Sequence, residues 1–177
     1  MVLLVVSCEQ KDDLQTITIG NEYSIALPSS LSKAENLNTE ASLQYQNIFR
    51  ELYVIVLDEP KKEVDSYLES TSSASGLNGY AKLLKNNFKE ALEKPTFSEP
   101  KNSQINGLKA QLHSVSATVE ASEIYYELAY IEGKSNYYQV LVWTVYDQKE
   151  NHIEEMKEII SSFKELKSRG LRKRLPK

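Results

Sequence analysis

Leu52, Tyr53, Val54, Ile55, Val56 and Leu57 form an unbroken apolar run. A strand turns successive side chains to opposite faces, so this run is apolar on both. Such a strand sits in the middle of a sheet covered on each side, and the rest of the chain has to supply two covers. Helical periodicity supplies them. Leu77, Tyr80, Leu84, Phe88 and Ala91 recur at three- or four-residue spacing and predict a helix over 77–92. Ile153, Met156, Ile160 and Phe163 form the stripe of a final helix that starts near Asp147. Glu150 stands three residues on, as in a capping box, and Gly170 lies just past the expected end. A shorter helix carries Val64, Tyr67 and Leu68, with Asp58 as its expected N-cap and Pro60 in its first turn.

The remaining apolar positions alternate. Tyr23, Ile25 and Leu27 before Pro28, and Leu43 and Tyr45 within 42–47, have the period of half-buried strands. Leu108, Ala110 and Leu112 open a longer strand that reaches Val119, followed by a tight connection at Glu120, Ala121 and Ser122. Strands over 124–132 and 136–146 face each other across Gly133, Lys134 and Ser135, a hairpin signal. The expected order is β-β-β-α-α-β-β-β-α. Short links among the later strands make it an α+β fold, an α/β/α sandwich around a mainly antiparallel sheet of about six strands.

The chain has 177 residues, enough for one domain with its own core. No repeat occurs between 16 and 166, and the small-polar stretch from Ser70 to Gly76 reads as a loop between helices. The net charge is −4, but residues 167–177 hold six of the 21 basic residues and no acidic one. The body is therefore near −10, which argues against a nucleic-acid surface. The basic tail is solvated, or it reaches an anionic lipid or another acidic partner.

The one cysteine, Cys8, excludes an intramolecular disulfide, and its neighbours suggest another use. Met1-Val-Leu-Leu-Val-Val-Ser-Cys8 is an apolar run ending in a small residue before cysteine. Val5, Val6, Ser7 and Cys8 resemble a bacterial lipobox, which implies cleavage before Cys8 and acylation of its thiol and new amino group. Several acyl chains, each buried methylene contributing roughly 0.8 kcal/mol, make such attachment effectively permanent. Seven residues, none basic, precede Cys8. The expectation is that the precursor starts upstream or has been trimmed, since a working signal has a basic n-region. The run is too short to span a bilayer, which takes about 20 residues. Lys11, Asp12 and Asp13 resemble the Lys-(Asp/Glu)-(Asp/Glu) export signal behind the lipidated cysteine of surface lipoproteins in the Bacteroidota. The expected layout is a signal remnant, lipobox and tether over 1–15, a domain over 16–166, and a tail over 167–177.

The opening Tyr23-Ser-Ile-Ala-Leu-Pro28, the closing Ile159-Ile-Ser-Ser-Phe163 and a Tyr- and Trp-rich late hairpin extend the resemblance to the whole domain. Together they resemble the fold of PsbP and of the nuclear import factor Mog, and more closely the PsbP-related lipoproteins of bacteria. This PsbP/Mog-like resemblance implies the sandwich already derived. It implies no particular function, because relatives bind different partners.

Residues for chemistry are sparse. His113 and His152 have no HxH, HxxxH or HExxH spacing, and each reads as a surface or sheet-face residue. No serine has a G-x-S-x-G context, and Gly76-Leu-Asn-Gly79 reads as a helix start. Asp12/Asp13, Glu154/Glu155 and Glu120/Glu123 are adjacent in sequence, which does not set two carboxyls across a cleft. Glu154 and Glu158 with Lys157 between read as a solvated face. No cofactor, metal or catalytic residue is expected.

The eleven tyrosines are the remaining enrichment. Tyr125-Tyr126 and Tyr137-Tyr138 each send one ring to either sheet face, so they are core or a candidate partner surface. The leading expectation is a non-catalytic, lipid-anchored binding or accessory module of the cell envelope, contacting a protein or envelope component. It would sit at the outer membrane, exposed at the surface on the export-signal resemblance. The alternatives are a structural tether using the tail from Arg169 to Lys177, and an envelope hydrolase whose site the sequence does not reveal.

Overall fold

The computed structural model describes residues 12–166; Cys8, Lys11, Gly170 and the basic tail lie outside them. In chain order the elements are β1 (Leu14–Ile19), β2 (Tyr23–Pro28), β3 (Ser32–Lys33), β4 (Leu43–Asn47) and β5 (Leu52–Pro60). Helices α1 (Lys61–Ser70) and α2 (Gly76–Ala91) follow. Then come β6 (Glu93–Phe97), β7 (Lys101–Ile105), β8 (Leu108–Val119), β9 (Ser122–Glu132) and β10 (Asn136–Val145). A 3-10 turn (Tyr146–Gln148), α3 (Lys149–Ser162) and β11 (Lys164–Glu165) complete the chain.

The main sheet has the order β3-β4-β5-β10-β9-β8-β6, with β7 also paired to β8. Every pairing in it is antiparallel. It has eight strands where about six were expected. The apolar run of β5 lies between β4 and β10, and its side chains divide as expected. Val54 and Val56 pack on one face with β2 and α3, while Ile55 packs on the other with α1 and α2. A second sheet, β1-β2-β11, joins α3 in the first of these layers.

Two expected caps are not made. The β5–β10 ladder runs on through Asp58 and Glu59, which pair with Tyr138 and Tyr137, so α1 starts only after Pro60. Asp58 therefore does not cap it. The 3-10 turn absorbs Asp147, and α3 starts after Gln148 with no side-chain cap. β1 also begins before residue 16, the expected start of the domain.

The Gly76–Gly79 turn is indeed a helix start, but Gly79 has a packing role as well. A Cβ there would overlap the Ala74 carbonyl and press on Leu68 at 3.1 Å. Gly79→Ala is therefore expected to destabilise the fold by about 1–3 kcal/mol, against the usual gain from alanine in a helix. Thermal unfolding of the variant reads this directly.

Candidate functional site

The tyrosine-rich hairpin is core. Tyr125, Tyr137 and Tyr138 are buried, and Tyr126 is half-buried. Each pair splits between the faces as alternation requires, but both faces are roofed. Tyr138 stands edge-on to Tyr23 at 5.6 Å and lies 4.9 Å from Phe163. Tyr137 stacks on Tyr80 at 4.7 Å, and Tyr126 meets Phe88 of α2 at 6.0 Å. Burial pushes all four phenols above their ordinary range. The four rings thus pack into the two layers.

Both histidines are buried: His113 lies on a sheet face, one of the two positions expected, whereas His152 sits in α3 and is neither at the surface nor on a sheet. His113 sits in β8 with Nε2 3.1 Å from Gln111 Oε1 and its ring beside Tyr130. Burial, aided by the charge of Lys85, holds the imidazole below its ordinary 6.5. The folded chain therefore binds less proton at His113 than the unfolded one as pH falls through 6.5, and stability is lost there. A melting temperature that declines from pH 7 toward 5, with a shallower decline in His113→Phe, is the expected result. Equal slopes would show that His113 carries none of it.

His152 belongs to the densest polar cluster, whose centre is Arg50. Asn47 ends β4 and its Oδ1 accepts from the backbone N–H of Phe49 and Arg50, both at 3.1 Å. That turn presents Arg50 to three segments. Its Nη1 donates to Asp12 Oδ2 at 2.7 Å and to Ser30 Oγ at 2.9 Å. Its Nη2 donates to Glu155 Oε2 at 2.6 Å. Ser30 Oγ donates in turn to Asp12 at 2.5 Å. His152 Nε2 lies 2.9 Å from the Arg50 carbonyl, which only accepts, so Nε2 carries a proton. The other ring nitrogen faces Glu155 at 3.6 Å.

Asp12, Ser30, Arg50 and Glu155 line a groove of about 490 Å³ between β1, β2 and α3. Its chemistry is already self-satisfied. The guanidinium is held by a carboxylate on either side, the Ser30 hydroxyl proton is committed to Asp12, and Ser30 and His152 are separated by Arg50. The arrangement works as a clamp. It fastens residue 12 and the β2–β3 loop to the β4–β5 turn and α3. Among the described residues no group of three or more His, Cys, Asp or Glu is arranged to hold a metal ion.

Of the residues read as an export signal, Asp12 is in this clamp, Asp13 is exposed, and Lys11 lies outside the described residues, as does Cys8. Glu154 pairs with Lys157 at 2.9 Å on an exposed face, as expected, whereas its neighbour Glu155 turns inward to Arg50.

No protein-family model matches the chain, and no curated protein matches it. Solved structures do. The solution structure of cyanobacterial PsbP (CyanoP) from Synechocystis sp. PCC 6803 superposes with a TM-score of 0.58 at 10% identity, covering 91% of this chain and 98% of that one. LpqN of Mycobacterium tuberculosis, described as involved in cell envelope biogenesis, gives 0.58 at 10% identity, covering 88% and 91%. A Bacteroides thetaiotaomicron protein gives 0.52 at 12% identity, with 85% of this chain matched to 50% of that one.

Proposed function

We propose that this PsbP-like domain is a non-catalytic accessory module, held at a bacterial cell envelope by lipid on Cys8 and binding a protein or envelope component there. The observation that carries the reading is the sequence from Val5 to Cys8, an apolar run with a small residue before a lone cysteine, ahead of a domain of this fold. The envelope role printed for LpqN is in keeping with it. So is the self-satisfied Arg50 cluster, whose side chains hold structure together in place of offering a free nucleophile or base.

The start of the first described strand, β1, and the last, β11, meet β2 near its two ends. Asp12 is bound beside the β4–β5 turn, the end where Tyr53 pairs with Trp143 late in β10. Glu165 accepts from Lys134 N at 2.8 Å, in the turn that precedes β10. Both ends pair with β2, Leu14 opposite Pro28 and Glu165 opposite Tyr23, so five residues of that strand, roughly 17 Å, separate them.

Intact mass measurement of the protein extracted from its native membranes, beside Cys8→Ala, tests the anchor. A mass carrying acyl chains at an N-terminal Cys8, lost in the variant, is the expected result. An unmodified chain would remove the envelope assignment. Proteinase treatment of intact cells tests surface exposure separately, and protection until lysis would place the domain on the inner side.

A further inference from the structure

Five large apolar side chains are exposed among the described residues, and four gather at one end of the domain. Phe49 is 94% exposed and Ile48 57%, at the tip of the β4–β5 turn; Leu14 and Tyr146 are the others at this end. Leu14 lines the Arg50 groove on one side of the turn. Tyr146 lines a shallow depression with Glu51 on the other.

The exposure of Ile48 and Phe49 is built in. The Asn47 side chain grips the backbone N–H groups of Phe49 and Arg50, and its Nδ2 donates to the Ser30 carbonyl at 2.9 Å. Glu51 takes a left-handed φ of 53° to return the chain into β5. Arg50 is drawn inward to Asp12 and Glu155. With the polar neighbours pinned on both sides, the two apolar side chains are left facing out. An almost fully exposed Phe in a polar, acidic body calls for an apolar surface to cover it.

The position of Asp12 identifies that surface. Cys8 is four residues before Asp12, and a fully extended chain spans at most about 3.6 Å per residue, so Cys8 reaches no farther than roughly 14 Å from it. Asp12 is bonded to Arg50, the residue next to Phe49. A lipid on Cys8 would therefore bring the bilayer within reach of this turn. We infer that the Ile48-Phe49 turn inserts into the interface of the bilayer to which Cys8 is anchored, as a second contact that orients the domain with its β4–β5 end down. A single acyl chain binds membranes only marginally, so a second apolar contact at the same place has a measurable effect.

This inference rests on the anchor reading, and its test imposes the anchor so that the two can fail separately. The full chain carries one thiol, so a single hexadecyl chain can be coupled to Cys8 through a maleimide and the protein loaded onto phosphatidylcholine vesicles. In a Phe49→Trp variant made on Trp143→Phe, the indole at the turn should be quenched by brominated acyl chains. Ile48→Ser with Phe49→Ser should shift the coupled protein's partition toward solution by at least about tenfold, with its melting temperature unchanged. An indole that stays in water on the vesicle surface overturns the inference. So does an indole shielded equally well in uncoupled protein, which would mean that copies pair through the turn. Finding native Cys8 unmodified in cells removes the anchor itself, and the inference with it, whatever the vesicles show.

Discussion

Tyr138→Ser is expected to cost about 3–5 kcal/mol, a large part of the roughly 5–15 kcal/mol that holds a domain of this size folded. The ring is buried at the meeting of three elements. It is edge-on to Tyr23 of β2, close to Phe163 after α3, and flanked by Val140 on its own strand face. Serine would leave a cavity that those elements can only partly fill, and it would put a hydroxyl where the ring had been. Tyr138→Phe separates the ring from its polar tip. It loses only the 3.3 Å hydrogen bond to Glu165, so it should fall within about 1 kcal/mol of the parent. Urea unfolding of the two variants is the measurement. A Tyr138→Ser protein that kept its midpoint but lost a partner would return the hairpin to the list of binding surfaces.

The contrast between these tyrosines and Arg50 shows what the sequence can convey. Long strands with a period of two, and helices with one apolar stripe, declare themselves locally; β8 from Leu108 to Val119 and the α2 stripe lie where they were expected. Sequence alternation also put one ring of each tyrosine pair on each face. It could not tell whether a roof covered that face, because the roof over Tyr126 comes from Phe88 in α2. Elements that exist only through tertiary pairing were invisible. β11 is two residues long and holds its place by pairing with Ser24 and Tyr23, and by the Leu166 N–H bonding the Glu22 carbonyl at 2.7 Å. The caps at Asp58 and Asp147 failed for the related reason that a ladder and a 3-10 turn already occupied those residues.

The Arg50 clamp was hidden more deeply, since Asp12 lies 38 and Glu155 105 positions away. Three of its members had an adequate local reading: Asp12 in a polar tether, Glu155 beside an exposed helical face, His152 as a surface or sheet-face residue. A set of charges balanced only in three dimensions leaves no pattern in one.

Arg50→Ala should therefore cost about 2–3 kcal/mol. The side chain of Arg50 is 31% exposed, so its ion pairs are partly screened, and most of the loss comes from what it leaves behind. Glu155, 20% exposed, would keep its charge beside His152 without a cation, and Asp12 would retain only the Ser30 hydroxyl. Removing Asp12 alone should cost less, because Arg50 still holds Glu155. In a cycle of Arg50→Ala, Asp12→Ala and both together, the double variant should therefore be less than the sum by about 0.5–1 kcal/mol. Strict additivity would mean that the Arg50–Asp12 contact contributes nothing to stability. The same cycle, followed by amide exchange, bears on the proposed orientation at a membrane. If the clamp fixes where the anchor enters, loss of Arg50 should speed exchange at Ser29, whose N–H bonds the Asp13 carbonyl at 2.7 Å, while leaving the β8–β9 ladder protected. The domain would then remain folded but no longer be held with its Phe49 turn next to the lipid. Stability and the proposed membrane orientation should thus be lost in different proportions by different substitutions at one cluster, and that is the behaviour a clamp predicts and a buried core residue such as Tyr138 does not.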